Sequence, residues 1–164
     1  MTVEVLLGIG SNIQREHHLR VAVQCLRARF GEVSLSLVYE NAAVGFSGDP
    51  FFNMVAAVHS GDSLATINQW LKALEDAHGR DRSQPKFSSR RLDIDILTWG
   101  DAHGVVSGVR LPRSEVFQHA FVLKPLADLR PHGTVPGDTL TWSELWADFD
   151  KNRHQLRQIM LPLP

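Results

Sequence analysis

Cysteine is nearly absent from this chain: 164 residues contain one, Cys25. No intramolecular disulfide can form, and a lone cysteine inside an apolar helical pattern reads as a small core residue. That usage fits a reducing compartment, so the expected location is the cytoplasm. Net charge is missing too. Lys and Arg number 17 against 18 Asp and Glu, a formal −1. General nucleic-acid or membrane-surface binders carry a basic excess, so neither partner is expected. No apolar run approaches the ~20 residues of a membrane span. Met1 to Ile9 is apolar, but it lacks the basic start and small-residue cleavage site of a secretory signal. Repeats, low-complexity tracts and flexible linkers are absent. The length predicts one domain over 1–164, expected to be a monomer, and an apolar fraction of 43% suffices for a core.

What is present falls in a clear order. Val3 to Ile9 is apolar and β-rich and stops at Gly10-Ser11-Asn12, which predicts a buried strand and a turn. Gly8-x-Gly10 is a fragment of a dinucleotide fingerprint, but Ile13 stands where a third glycine would fall, so it is read as part of that turn. Leu19, Val23, Leu26 and Phe30 recur at helical spacing from about Arg15, and Gly31 closes them. Val33 to Tyr39 alternates as one half-buried strand. A Gly/Pro loop, Glu40 to Pro50, leads to a second strand at Phe52 to Ser60. Asp62 or Ser63 caps a helix carrying Leu64, Ile67, Leu71 and Leu74 to about His78. Leu92 to Trp99 is a strand, Ser114 to Leu129 is helical in one or two pieces, and Thr141 to Phe149 is a capped helix. The order strand, helix, strand, strand, helix, strand predicts an α+β fold, ferredoxin-like, with helices covering a mainly antiparallel sheet.

Chemistry concentrates between Arg80 and Ile96. Leu92, Ile94 and Ile96 point one way along the strand, and Asp93 and Asp95 the other. The two carboxylates leave one face roughly 6–7 Å apart. That arrangement suits a hard cation: Mg²⁺ takes one or two carboxylates and completes its shell with water and phosphate oxygens. Arg90 and Arg91 directly precede the pair, and Arg80, Arg82 and Lys86 lie in the loop before it. Metal-bound triphosphate needs both signs, acids for the metal and arginines for phosphate oxygens. A local salt-bridge network or a solvated acidic face produces the same pattern, and the residues alone leave these open. There is no G-x-x-x-x-G-K-S/T loop, and no Cys/His array has zinc spacing. The eight histidines, His17 and His18 included, are expected at the surface.

The stretch Arg90-Arg91-Leu92-Asp93-Ile94-Asp95-Ile96 resembles the R-x-L-D-I/L-D-I/L signature of the hydroxymethyl-dihydropterin pyrophosphokinases. Further pieces follow in that family's order. Ile9-Gly10-Ser11-Asn12 follows the first strand, Val38-Tyr39-Glu40 leads to Val44-Gly45-Phe46, and Phe51-Phe52-Asn53 opens a strand. Glu75, Gly79, Arg80 and Arg82 end the second helix. Leu111-Pro112 precedes Phe121-Val122-Leu123-Lys124-Pro125-Leu126, which is similar to the family's F-V/M-L-x-P-L. The resemblance covers about residues 3–130.

It implies a ferredoxin-like enzyme that moves diphosphate from ATP to 6-hydroxymethyl-7,8-dihydropterin with two Mg²⁺ ions, a step of folate biosynthesis. Carried over residue by residue, Asp93 and Asp95 would hold both metals, and Arg80 and Arg90 would contact the transferred or departing phosphates. Glu75, Arg82, Arg90, Ile96, Arg113 and His119 would bind ATP, with Arg82 in a loop that closes over it. Asn53 would hydrogen-bond the pterin, Phe121 would stack on it, and Phe87 stands where the family usually has a Trp. Asn41, Ala42, Val44 and Phe51 would complete the pterin pocket. Such chemistry needs in-line positioning and charge stabilisation more than covalent help. No general base stands out, because a metal-bound carboxylate is a poor one. The sequence departs from the family where a His-Tyr pair commonly follows Pro112: here stand Arg113 and Ser114. His119 replaces an Arg that touches phosphate. These changes leave two other readings: a divergent paralogue acting weakly or on another pterin, and a non-catalytic ferredoxin-like binding module.

Overall fold

The two apolar faces of one sheet organise the chain. The computed structural model describes residues 1–151 and 155–164. Strand β1 (Val3–Ser11) leads to helix α1 (Arg15–Phe30), then to the short strands β2 (Ser34–Leu35) and β3 (Val38–Asn41) and the long strand β4 (Phe51–Ser60). Helix α2 (Leu64–Ala77) and strand β5 (Asp93–Trp99) complete the ferredoxin-like unit. A hairpin, β6 (Gly104–Val106) and β7 (Val109–Leu111), precedes the helices α3 (Glu115–Gln118), α4 (Ala120–Leu129) and α5 (Trp142–Asp148), and β8 (Arg157–Ile159) ends the order. The main sheet runs β5-β1-β4-β3-β8, with β2 also on β4, and every pairing is antiparallel.

Strand alternation sends Val5, Leu7, Ile9, Ile94 and Ile96 to one face, where Leu19, Val23 and Leu26 of α1 and Ile67 and Leu71 of α2 bury them. Leu6, Val55, Ala57 and Leu97 go to the other face, under Val116, Leu123, Leu126 and Trp142. Fully burying one such aliphatic side chain contributes about 1.5–3 kcal/mol. The expected helix ends are in place. Gly31 takes φ 80°, and its N–H donates to Arg27 O at 2.9 Å. Ser63 Oγ accepts the Thr66 N–H, and Thr141 with Glu144 forms a capping box. No described helix is long and apolar enough to cross a membrane.

The structure corrects three local expectations. Val33 to Tyr39 is not one strand. Ser36 interrupts it, donating its N–H to Val55 O and accepting the Val55 N–H on Oγ. The side-chain phase slips there, so Leu37 is exposed and Val38 buried. Gly8 and Gly10 lie inside β1, not in a turn. His18 is buried rather than superficial, its Nδ1 hydrogen-bonded to Ile13 O at 2.7 Å. Two elements had no counterpart in the sequence reading. The β6–β7 hairpin is one. The other is β8, which pairs with β3 and sends Leu161 and Leu163 onto the α1-side core.

Candidate active site

Two rows of paired residues cross the sheet. Tyr39 is opposite Asn53, Asn53 opposite Gly10, and Gly10 opposite Asp93. In the next row Val55 faces Gly8 and Gly8 faces Asp95. A period of two aims all of these at the α4 side of the sheet. The glycines leave a trough between an amide end and a carboxylate end, which stand about 10 Å apart across two strand spacings. Gly10 leaves room for the Asn53 amide as it is placed, because a Cβ on it would lie 2.6 Å from Asn53 Oδ1. A cavity of about 240 Å³ opens above this trough.

At the carboxylate end each aspartate has its own arginine. Arg80 reaches Asp93 at 3.0 Å, and Arg113 reaches Asp95 at 3.3 Å. Loss of solvent at the cavity floor, with Asp93 alongside, pushes the Asp95 carboxyl up to about 7 against the pull of Arg113. Glu75, at the end of α2, lies beneath this pair rather than in the cavity. It is 3% exposed; Oε2 accepts the Ile94 N–H at 2.9 Å and Arg80 at 3.3 Å, and Oε1 accepts Arg82 at 3.2 Å. Burial raises its pKa and the Asp93 charge adds to that, while the Ile94 N–H and the two arginines lower it. Arg82 is spent on Glu75, Asp76 and the Lys72 carbonyl, away from the cavity.

The loop after Arg80 is held at both ends. Arg80 donates its N–H to Glu75 O at 3.1 Å. At the far end the Arg90 N–H donates to Asn12 Oδ1 at 2.7 Å, while the Asn12 N–H donates to Arg90 O at 3.0 Å. The Arg90 guanidinium borders the cavity but donates to the Pro85 and Lys86 carbonyls at 2.9 and 2.8 Å and to Ser88 Oγ. Desolvation lowers its pKa, and the Arg80 charge adds to that.

The amide end is aromatic. Asn53 donates to Asn41 Oδ1, and both side chains are buried. Val44, Phe51, Phe87 and Phe121 border the same space, with Phe46 packed edge-on to Phe51. Phe87 comes from the loop and is about half exposed. His119 stacks on Phe121, with ring centroids 4.7 Å apart.

Twelve of the sequence-selected residues therefore line one cavity: Arg80, Arg90, Asp93, Asp95, Arg113, His119, Asn41, Val44, Phe51, Asn53, Phe87 and Phe121. Glu75, Arg82, Ala42 and Ile96 are not among its lining residues. The Ile96 side chain is in the core on the opposite face. Its backbone shares the direction of the Ile94 N–H, away from β1, toward an edge of β5 that no described strand covers. Missed by the sequence reading were Gly8 and Gly10 as trough residues and Glu115 as an acid beside Arg113. A glycine within a strand pattern is itself a signal of close approach, and it was available. Glu115 had none, since its nearness to Asp95 depends on the path of the chain after β7.

No three His, Cys, Asp or Glu side chains of the described residues form a metal-holding cluster. The donor set is two carboxylates at the charged end of a cavity that is otherwise largely apolar. That fits a Mg²⁺ ion whose remaining ligands are water and phosphate.

The model of the 7,8-dihydro-6-hydroxymethylpterin-pyrophosphokinases (HPPK) matches residues 6–131. This chain belongs to that family. The pyrophosphokinase of Porphyromonas gingivalis is 34% identical over 148 residues, covering 83% of this chain and 98% of that protein. The Pseudomonas aeruginosa enzyme of the same name is 31% identical over 140 residues, covering 83% of this chain and 86% of its own length. A folate synthesis bifunctional protein of Arabidopsis thaliana is 27% identical over 148 residues, which are 30% of its length. Among solved structures, wild-type Plasmodium falciparum HPPK-DHPS with pterin and p-hydroxybenzoate matches with a TM-score of 0.67 at 13% identity. The match covers 90% of this chain and 43% of that one, so this chain spans less than half of the solved protein, and the likeness carries the fold alone.

Proposed function

We propose that this chain transfers diphosphate from ATP to 6-hydroxymethyl-7,8-dihydropterin, releasing AMP, and that the trough above Gly8 and Gly10 is where it does so. The observation that carries the assignment is the polarity of that trough. Paired amides and aromatic rings stand at one end, and two carboxylates with their arginines at the other. A flat heterocycle with amide-like edges suits the first, and a triphosphate suits the second.

In this reading Asn53 and Asn41 hydrogen-bond the pterin edge, while Phe121 and Phe87 sandwich the ring. Val44, Phe51 and the Ala42 backbone close its sides. The hydroxymethyl group then points along the glycines toward the aspartates. Asp93 and Asp95 hold magnesium, two ions by the family pattern, which when bound offsets triphosphate charge and aligns the reacting oxygens. Arg80, Arg90 and Arg113 take phosphate oxygens, and the Ile96 backbone offers the open β5 edge to the adenine. Glu75 positions Arg80, and Arg82 rides the loop that excludes water as it closes. His119, stacked on Phe121, is read as a further contact for ATP. Balanced charge and a single cysteine support work in the cytoplasm on small molecules, without nucleic acid or membrane, and the chain is read as a monomer.

The test is AMP release from Mg-ATP with and without the hydroxymethyl pterin, in the wild type and in Asp95→Asn. Pterin-dependent AMP from the wild type, lost in the folded variant, is expected. AMP release that ignores the pterin, or that survives in Asp95→Asn, would overturn the assignment.

A further inference from the structure

Arg113 stands where the family resemblance leads one to expect a neutral or weakly basic ring, and its surroundings are unusual. Its backbone is pinned: the N–H donates to Leu97 O at 2.9 Å, at the end of β5. The side chain extends to Asp95 Oδ1 at 3.3 Å and to Glu115 Oε2 at 3.1 Å from Nε. Both contacts have ion-pair distances, but neither is aligned as a hydrogen bond. Arg113 Nε and Glu115 Oε2 are both buried atoms without a hydrogen-bond partner. A guanidinium offers five donors in a planar fork and gains most from a bidentate oxyanion. Here it is aimed at two carboxylates and satisfies neither fully.

Charge bookkeeping across the cavity gives this a consequence. Arg80 pairs with Asp93 and Arg113 with Asp95, and each arginine also reaches a glutamate, Glu75 or Glu115. A divalent cation arriving alone must settle beside two guanidinium groups and displace at least one. An arriving triphosphate gives the arginines new acceptors and leaves the carboxylates free.

We propose that Arg113 is a built-in counter-cation for Asp95, which makes divalent-metal binding at the aspartate pair conditional on nucleotide. The proposal rests on the reading of Asp93 and Asp95 as metal ligands and extends it. Arg113 hands Asp95 over when a polyphosphate draws its guanidinium away. By linkage, the metal must then strengthen nucleotide binding by the same factor as the nucleotide strengthens metal binding.

The experiment is Mn²⁺ binding, read by the loss of free Mn²⁺ signal in electron paramagnetic resonance. The samples are wild type, Arg113→Met and Arg113→Lys, each with and without a non-hydrolysable ATP analogue, and the Mn²⁺ taken up by the analogue alone is subtracted. Arg113 is a third exposed, and circular dichroism checks that both variants fold. Wild type should bind Mn²⁺ weakly alone and much more tightly with the analogue. Arg113→Met should bind Mn²⁺ alone about tenfold or more tighter than wild type, with the metal–nucleotide coupling reduced by a similar factor. Arg113→Lys should keep most of the conditionality. Arg113→Met binding Mn²⁺ alone no better than wild type, while both bind it with the analogue, overturns the counter-cation and leaves the metal site standing. Absence of Mn²⁺ binding in every sample, analogue included, overturns the metal site itself and the counter-cation with it.

Discussion

Glu75 Oε2 accepts the backbone N–H of Ile94 at 2.9 Å, so the end of α2 is tied to the strand that carries both aspartates. The same carboxylate holds Arg80 and Arg82. Glu75→Ala leaves the buried Ile94 N–H without its acceptor and takes one acceptor from each arginine, although Arg80 keeps Asp93 and Arg82 keeps Asp76. It should destabilise the chain by about 1–3 kcal/mol, the cost of an unsatisfied buried polar group. Glu75→Gln, which can still accept from Ile94, should cost less. Urea unfolding of both variants checks this, and equal losses would show that charge on the arginines matters more than the strand tie.

Gly10→Ala places a methyl group within 2.6 Å of Asn53 Oδ1, and the Asn53 amide must turn away. Pterin affinity should fall by about tenfold or more, on the scale of one lost buried hydrogen bond. Mg-ATP affinity should hold, because the carboxylate end is untouched. Titration of each ligand separately gives the comparison; parallel losses would mean a general collapse of the trough.

Arg90→Ala removes a guanidinium that borders the phosphate end. Turnover should drop by about 10²–10³, as for other lost transition-state donors. A change of only a few-fold in kcat would restrict Arg90 to its visible duty, holding the Pro85 and Lys86 carbonyls.

His18 predicts a pH dependence of stability. Burial lowers its pKa, and the His17 and His78 rings beside it act in the same direction, while the Ile13 and Gln14 carbonyls raise it. The unfolded chain, with an ordinary histidine near 6.5, therefore takes up the proton first. The stability linked to His18 is intact above that pH and is lost as pH falls through and below it. His18→Asn, which can keep a donor toward Ile13, should flatten the slope of thermal stability between about pH 7 and pH 5. An unchanged slope would assign the effect to other groups.

Where the sequence was legible, the signal was local. The span of α1, the Ser63 cap and the Thr141 capping box follow from spacing and short-range hydrogen bonding. Asp93 and Asp95 share a face because strand parity requires it. The break at Ser36 was not legible, since a hydroxyl replacing a ladder partner leaves the apolar alternation intact on paper. Glu115 and the burial of His18 arise from non-local packing. Strand β8 is three residues long, and only its partner β3 makes it a strand. Composition and motif alone did not separate ion-pair network from metal site at residues 80–95. The structure shows that Arg80 and Arg113 pair with the two aspartates and also border a cavity.

The loop between Arg80 and Arg90 is moored at each end, by Glu75 on one side and Asn12 on the other. Its moorings fix the span, so its length alone sets how far Phe87 can swing over the trough. Insertions or deletions between residues 81 and 88 would thus retune which acceptors can be enclosed without moving Asp93 or Asp95, while Arg90, held by the Pro85 and Lys86 carbonyls, would shift with the loop. On the proposed reading, enclosure of the acceptor lies on this loop and metal holding on β5, with Arg90 as the link between them.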